Sequence, residues 1–294
     1  MRITQRAVAL TSLQGLNRNL DTMAKLQQQL TSGRLITNPS DSPTGTNRAM
    51  QTRSSQASVA QYARNISDGQ SWLGQTDSTL QQMLDTTRKV RDLTVQGSND
   101  GGMSDGSRKA LATEVANLRE SLLGLANTTN QGRPLFGGIT TGANAYDSTT
   151  GAFVGMSGPE VTRRVSDTEV VRVDISGPEA FGPPGNDLFA VVDRIATDLT
   201  AAPASLAQDL TDLDAIMKNM LSAVADIGAR AARIDREQTI NSDQALNLSS
   251  QLAETEDIDL PNTVMRLQMQ QVGYQAALSA TAKALQPTLL DFLA

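Results

Sequence analysis

The same spacing of apolar side chains occurs at both ends of the chain. Ala9, Leu13, Leu16, Leu20, Met23, Gln27 and Leu30 follow one another at alternating intervals of four and three. Leu260, Val264, Leu267, Gln271, Tyr274, Leu278, Thr281 and Leu285 repeat the pattern, with Leu289 and Phe292 beyond them. Such steps keep one stripe on one face of a helix and are the seam of a coiled coil. Two stripes of this kind need burial, either on each other or on neighbouring subunits. A chain that commits both ends to helix pairing is more suited to assembly than to catalysis.

Composition narrows the choice further. The 294 residues contain no histidine and no cysteine. Disulfides, thiol nucleophiles and zinc–thiolate sites are excluded, and the commonest general base and metal ligand is missing. Aromatics make up only 3%, a composition that suits Leu-, Val- and Ala-lined helix seams better than a bulky core. The net charge of −6 is uneven. Residues 1–64 hold eight basic residues against Asp21 and Asp41, so the remainder is strongly acidic. A basic leading segment and an acidic body favour association within one protein species. Nucleic-acid binding is not expected, because the basic residues are spread along helices without interleaved aromatics. No segment approaches the roughly 18 apolar residues of a membrane span. Residues 1–30 lack the apolar core and cleavage site of a secretory signal, which by itself would indicate the cytoplasm.

The pattern along the chain predicts a first helix over about 5–32, stopped at Gly33, and a turn-rich link over 37–43. Ser42 is placed to cap a second helix with Pro43 at its first position. That helix runs to about Gln96; roughly fifty residues at ~1.5 Å each make a rod of about 80 Å. A third helix spans about 104–129. From Gly132 the chemistry changes: Phe153-Val154, Val161–Val165 and Val170–Ile175 read as strands between Gly-, Pro- and Asp-rich turns. Helical periodicity returns at Asp187, runs through a second very long helix after Pro203, and resumes at about 260. The fold expected is mainly α: a long antiparallel coiled-coil rod formed by both chain halves, with a small β-rich insert. Three domains are expected: 1–42 with 254–294 for assembly, 43–137 with 187–253 as a rod, and 138–186 as a β-rich outer domain.

No arrangement of residues points to chemistry. Asn99–Gly106 lacks the spacing of a calcium loop or a phosphate cradle and reads as a turn. The acidic run Glu254–Asp259 is suited to a cation or, more simply, to a helix N-terminus. No catalytic, cofactor or metal residue is assigned. The expected functional residues are the two seams: Leu13, Leu16, Leu20, Met23 and Leu30, with Leu260, Val264, Leu267, Tyr274, Leu278, Leu285, Leu289 and Phe292.

Several stretches carry a family resemblance. Met1-Arg2-Ile3-Thr4, then Leu30–Leu35 and Asn38–Pro43, resemble the N-terminal signature of the flagellin superfamily. Gly132–Gly138, and Arg266-Leu267-Gln268 with Leu289–Leu293, resemble its hook-associated branch, the subunits that join hook to filament. The resemblance covers about 1–137 and 187–294. It implies a structural, non-enzymatic subunit that assembles through its terminal helices. The implied partners are copies of itself, flagellin, the neighbouring hook-associated protein 1, the flagellar type III export apparatus and an export chaperone, with no membrane insertion. It also implies an extracellular destination reached without a cleaved signal peptide. Two other readings stand beside it: a filament-forming flagellin, and a helical-hairpin signalling protein of chemoreceptor type.

Overall fold

Helices α1 (Arg2–Ser32), α2 (Pro43–Gly97) and α3 (Asp105–Ala126) fill the first part of the chain. Two short strand pairs and a single-turn helix follow: β1 (Thr129–Asn130), β2 (Arg133–Pro134), β3 (Thr162–Arg164), β4 (Val170–Arg172) and α4 (Gly177–Phe181). Helices α5 (Leu188–Ala201), α6 (Leu206–Glu256) and α7 (Leu260–Ala284) complete the order. The computed structural model describes residues 2–99 and 103–284. They fall into two compact units, Met1–Ser58 with Ala245–Ala294, and Val59–Gln244.

Local chemistry accounts for the boundaries. Ser42 Oγ accepts the Gly45 N–H at 3.1 Å, satisfying one of the free donors at the start of α2. Ser104 and Asp187 cap α3 and α5 in the same way. Gly33, at φ +70°, takes the left-handed conformation that ends α1, and only glycine enters it without strain. β1 and β2 form a tight hairpin whose turn, Gln131-Gly132, has both residues at positive φ. Helix α6 runs without a break to Glu256. Of the expected strands, 162–164 and 170–172 pair antiparallel. The 153–156 stretch makes only isolated bridges, Phe153 with Tyr146 and Met156 with Gly138.

In the Val59–Gln244 unit, α2 and α6 run antiparallel. Gln70 bonds Asp235, and Arg91 meets Asp214 at 2.7 Å. Leu73, Leu80 and Val90 of α2 are completely buried, as are Leu213, Met220 and Ile227 of α6 and most of the apolar face of α5. The α2 stripe also buries Thr87 and Thr94, whose hydroxyls donate at 2.7 Å to the carbonyls of Met83 and Val90. Each hydroxyl is satisfied inside its own helix, so a polar group enters the core at little cost.

Five of the nine aromatic residues meet in one cluster. Phe136, Tyr146, Phe153, Phe181 and Phe189 meet edge-on or tilted, with ring centroids 4.6–6.0 Å apart. The insert therefore shares the core of the helices and belongs to the same compact unit. Asn127, just past α3, fastens it: its amide accepts the Ala145 and Tyr146 N–H groups and donates to the Tyr146 carbonyl. Arg172 binds Glu160, Asp174 and Glu179 together, and Asp174 also accepts the Val161 N–H. The three-domain division expected from composition thus meets a two-unit structure, because aromatic side chains from the insert and from α5 fill one another's gaps.

Candidate subunit interface on the terminal helix pair

In the unit of Met1–Ser58 and Ala245–Ala294, α1 and α7 pack antiparallel. Gly33 O accepts the Ile258 N–H at one end, while Asn19 Oδ1 accepts Gln270 Nε2 at 3.1 Å further along. The positions with reduced exposure on α1 are Ala9, Ser12, Gly15, Leu16, Asn19, Met23, Leu26, Gln29 and Leu30. On α7 they are Thr263, Leu267, Gln270, Tyr274, Ala277 and Thr281. The α7 set steps by four and three throughout, and the α1 set does so apart from the adjacent pairs Gly15-Leu16 and Gln29-Leu30, so this is a coiled-coil seam. Much of its lining is small or polar. A hydrogen-bonded Asn–Gln pair inside a seam fixes register and orientation at some loss of stability.

The residues expected from sequence are divided by this packing. Leu16, Met23, Leu30, Leu267 and Tyr274 turn into the pair. Leu13 and Leu20 remain 53% and 40% exposed, and Leu260, Val264 and Leu278 remain 57%, 39% and 43% exposed. Leu285, Leu289 and Phe292 lie outside the described residues. The apolar stripe read from the sequence therefore straddles the edge of the internal seam, and its outer leucines are unspent. Helix α7 carries a further exposed apolar set, Met265, Met269 and Val272, on the side away from α1 by helical periodicity. A helix that is apolar on several sides is one that becomes enclosed.

The start of α7 and the end of α1 are held by a polar clasp that no periodicity announces. Arg34 and Asp257 form a β-bridge, and the Leu35 N–H bonds the Glu256 carbonyl. The buried Glu256 carboxylate pairs with Arg53 at 2.6 Å and lies 4.0 Å from Arg34. Asp41 accepts the Thr37 and Asn38 N–H groups and the Thr37 hydroxyl, and pairs with Lys25 at 2.9 Å. The Lys25 ammonium, joined by these donors, holds the Asp41 carboxyl far below the usual carboxylate range. The paired prolines and capping residues of 37–43 were the legible signal here; the reach of Arg34 and Arg53 to Glu256, two hundred residues away, was not. The acidic run 254–259 is used for this clasp and for capping α7, where Asp259 accepts the Asn262 N–H. Among the described residues, no group of three or more His, Cys, Asp or Glu is placed to hold a metal ion. No described helix is long and apolar enough to cross a membrane.

Comparison with known proteins places this geometry. Residues 3–141 match the bacterial flagellin N-terminal helical region, and residues 210–293 match the bacterial flagellin C-terminal helical region. Flagellar hook-associated protein 3 of Salmonella typhimurium is 26% identical over 302 residues, covering 94% of this chain and 95% of that protein. A flagellin of Listeria monocytogenes is 23% identical over 300 residues, covering 100% of this chain and 99% of that protein. The crystal structure of the flagellar junction protein FlgL from Legionella pneumophila superposes with a TM-score of 0.59 at 14% identity, over 71% of this chain and 100% of that one. With both terminal helical regions matched and the fold shared, the chain belongs to the flagellin family.

Proposed function

We propose that this chain is a structural subunit of the bacterial flagellum that joins hook to filament, assembling through its paired terminal helices. The observation that carries the reading is the unspent apolar surface of α1 and α7. Full burial of a leucine or valine contributes about 1.5–3 kcal/mol. Leu13, Leu20, Leu260, Val264 and Leu278 keep roughly half of that in reserve, about 4–7 kcal/mol together. Association itself costs on the order of 4–15 kcal/mol, so one such face against one neighbour would be marginal. Several neighbours around a ring would make it sufficient.

In this reading the partners are further copies of the chain, the hook-associated protein 1 beneath, and flagellin above. Delivery runs through the flagellar type III apparatus with an export chaperone, to a site outside the cell, without a cleaved signal. Full-length similarity to a hook-associated protein 3 supports it, as does a terminal pair whose outer face has no role in the monomer. The match of the whole chain to a Listeria flagellin keeps one alternative, a filament-forming subunit. The signalling-hairpin reading gives way to the family match at both ends. Immunogold labelling of intact flagella separates the two that remain. Label confined to the boundary of hook and filament supports the junction subunit, and label along the filament supports the flagellin.

A further inference from the structure

Two thioethers stand on the outer face of α7, where an assembling helix needs apolar surface. The chain has ten methionines, and their exposure divides them. Met83 and Met220 are completely buried in the Val59–Gln244 unit. Met265 and Met269 are 59% and 68% exposed. Four positions apart, they occupy successive turns of one stripe, which the exposed Val272 continues. Met50 of α2 and Met156 of the insert are as open, but they stand apart from this stripe.

On the reading that α7 becomes enclosed in the assembly, the occupant of this face is a second copy of the chain. Each copy carries the complement on its own α1, where Leu10, Leu13 and Leu20 are exposed. Unbranched thioethers adapt their shape to branched leucines. Charge agrees with the match. Asp21 follows Leu20 and Arg266 follows Met265, both exposed, and neither has an ion-pair partner among the described residues. A contact between unlike faces of identical copies is the kind that closes into a ring.

We propose that Met265 and Met269 are an oxidation site that controls this contact: hydrogen peroxide converts their thioethers to sulfoxides, and a chain so modified stays folded but no longer takes its place beside a second copy. A sulfur lone pair attacks one peroxide oxygen. The S–O bond forms as the O–O bond breaks, and the other oxygen leaves as water with both peroxide protons. Sulfur gives up two electrons and the peroxide accepts them. In the free chain each new oxygen is hydrated, so the fold is unaffected. Enclosed against leucines it is an acceptor without a donor, and burying such a group is costly.

The test oxidises the purified full chain partially with hydrogen peroxide, follows its helical content, and adds it to flagellar hooks from cells lacking the chain. Bound and unbound chains are separated, and each methionine is read by peptide mass spectrometry. Sulfoxide at Met265 and Met269 is expected to be lost from the bound fraction. Sulfoxide at Met156 should be shared equally, and Met83 and Met220 should stay unoxidised. Equal sulfoxide at Met265 and Met269 in both fractions overturns the inference, as does a fall in helical content that tracks their oxidation. Unoxidised chain that fails to bind the hooks overturns the junction reading and this inference with it, so the two failures are distinct. The parent has no cysteine, so Leu20→Cys and Met265→Cys chains mixed on the hooks should form a disulfide between copies under a mild oxidant. Without that bond another protein covers the face, and the assignment to a second copy fails.

Discussion

Phe136 tests whether the insert is a lobe or part of the core. Its ring is completely buried, 4.9 Å from that of Phe181, and its carbonyl accepts the Gly177 N–H that opens α4. Truncating it to alanine removes a buried ring, leaves a cavity where neighbours from α4 and the insert meet, and breaks an edge-to-face contact. Large-to-small changes of this kind cost about 3–5 kcal/mol. For a unit of this size each kcal/mol lowers the melting temperature by about 2–4 °C, so Phe136→Ala is expected to melt about 6–20 °C early. Trp72, the only tryptophan, packs half-buried against the same core, and its fluorescence reports this unit directly. Val154→Ala, on an exposed side chain of the insert, is the control and should shift the melt hardly at all. A Phe136→Ala protein whose tryptophan transition moves no more than the control would show that the insert is energetically separate from the helices, and the shared-core account would fail.

Other consequences follow from the terminal unit. Leu20→Asp with Leu278→Asp places charge on the outer stripe and spares the Asn19–Gln270 seam, so the monomer should keep its helical content while losing assembly and motility; a swimming double mutant would show that this stripe is not the interface. Leu16→Ala with Leu267→Ala empties the internal seam instead, and should loosen the α1–α7 pair in the monomer, seen as faster proteolysis within α1. The Asp41 carboxyl, held low by Lys25, contributes stability above the unfolded carboxylate value that is lost only as pH falls through its own much lower one. The parent's 33–42 link should therefore resist cleavage by an acid-active protease at pH 4, whereas Asp41→Asn should be cut there at neutral and acid pH alike.

Much of this was legible in the sequence, and the part that was not has a physical reason. Helical periodicity, the Ser42-Pro43 start, the Gly33 stop and the change of chemistry at Gly132 located the helices and the insert, because each is set by local backbone preferences. The terminal stripes were found but their orientation was not. A four-three repeat of leucines identifies a face without saying what covers it, and here small and polar residues one position over, Ser12, Asn19, Gln270 and Ala277, line the internal seam. The clasp of Arg34, Arg53 and Glu256 depends on segments meeting at long range, which spacing does not encode. Low aromatic content suggested a core without bulky rings, yet five of the nine aromatics are gathered at one point, where each buries a large area.

The central claim is that the chain joins hook to filament. Electron microscopy of cells lacking it, together with assay of the culture medium for flagellin, tests that most directly. The account predicts hooks without filaments and flagellin shed into the medium, restored by the parent chain and not by the Leu20→Asp, Leu278→Asp variant. Filaments of normal length on the deleted cells would contradict it.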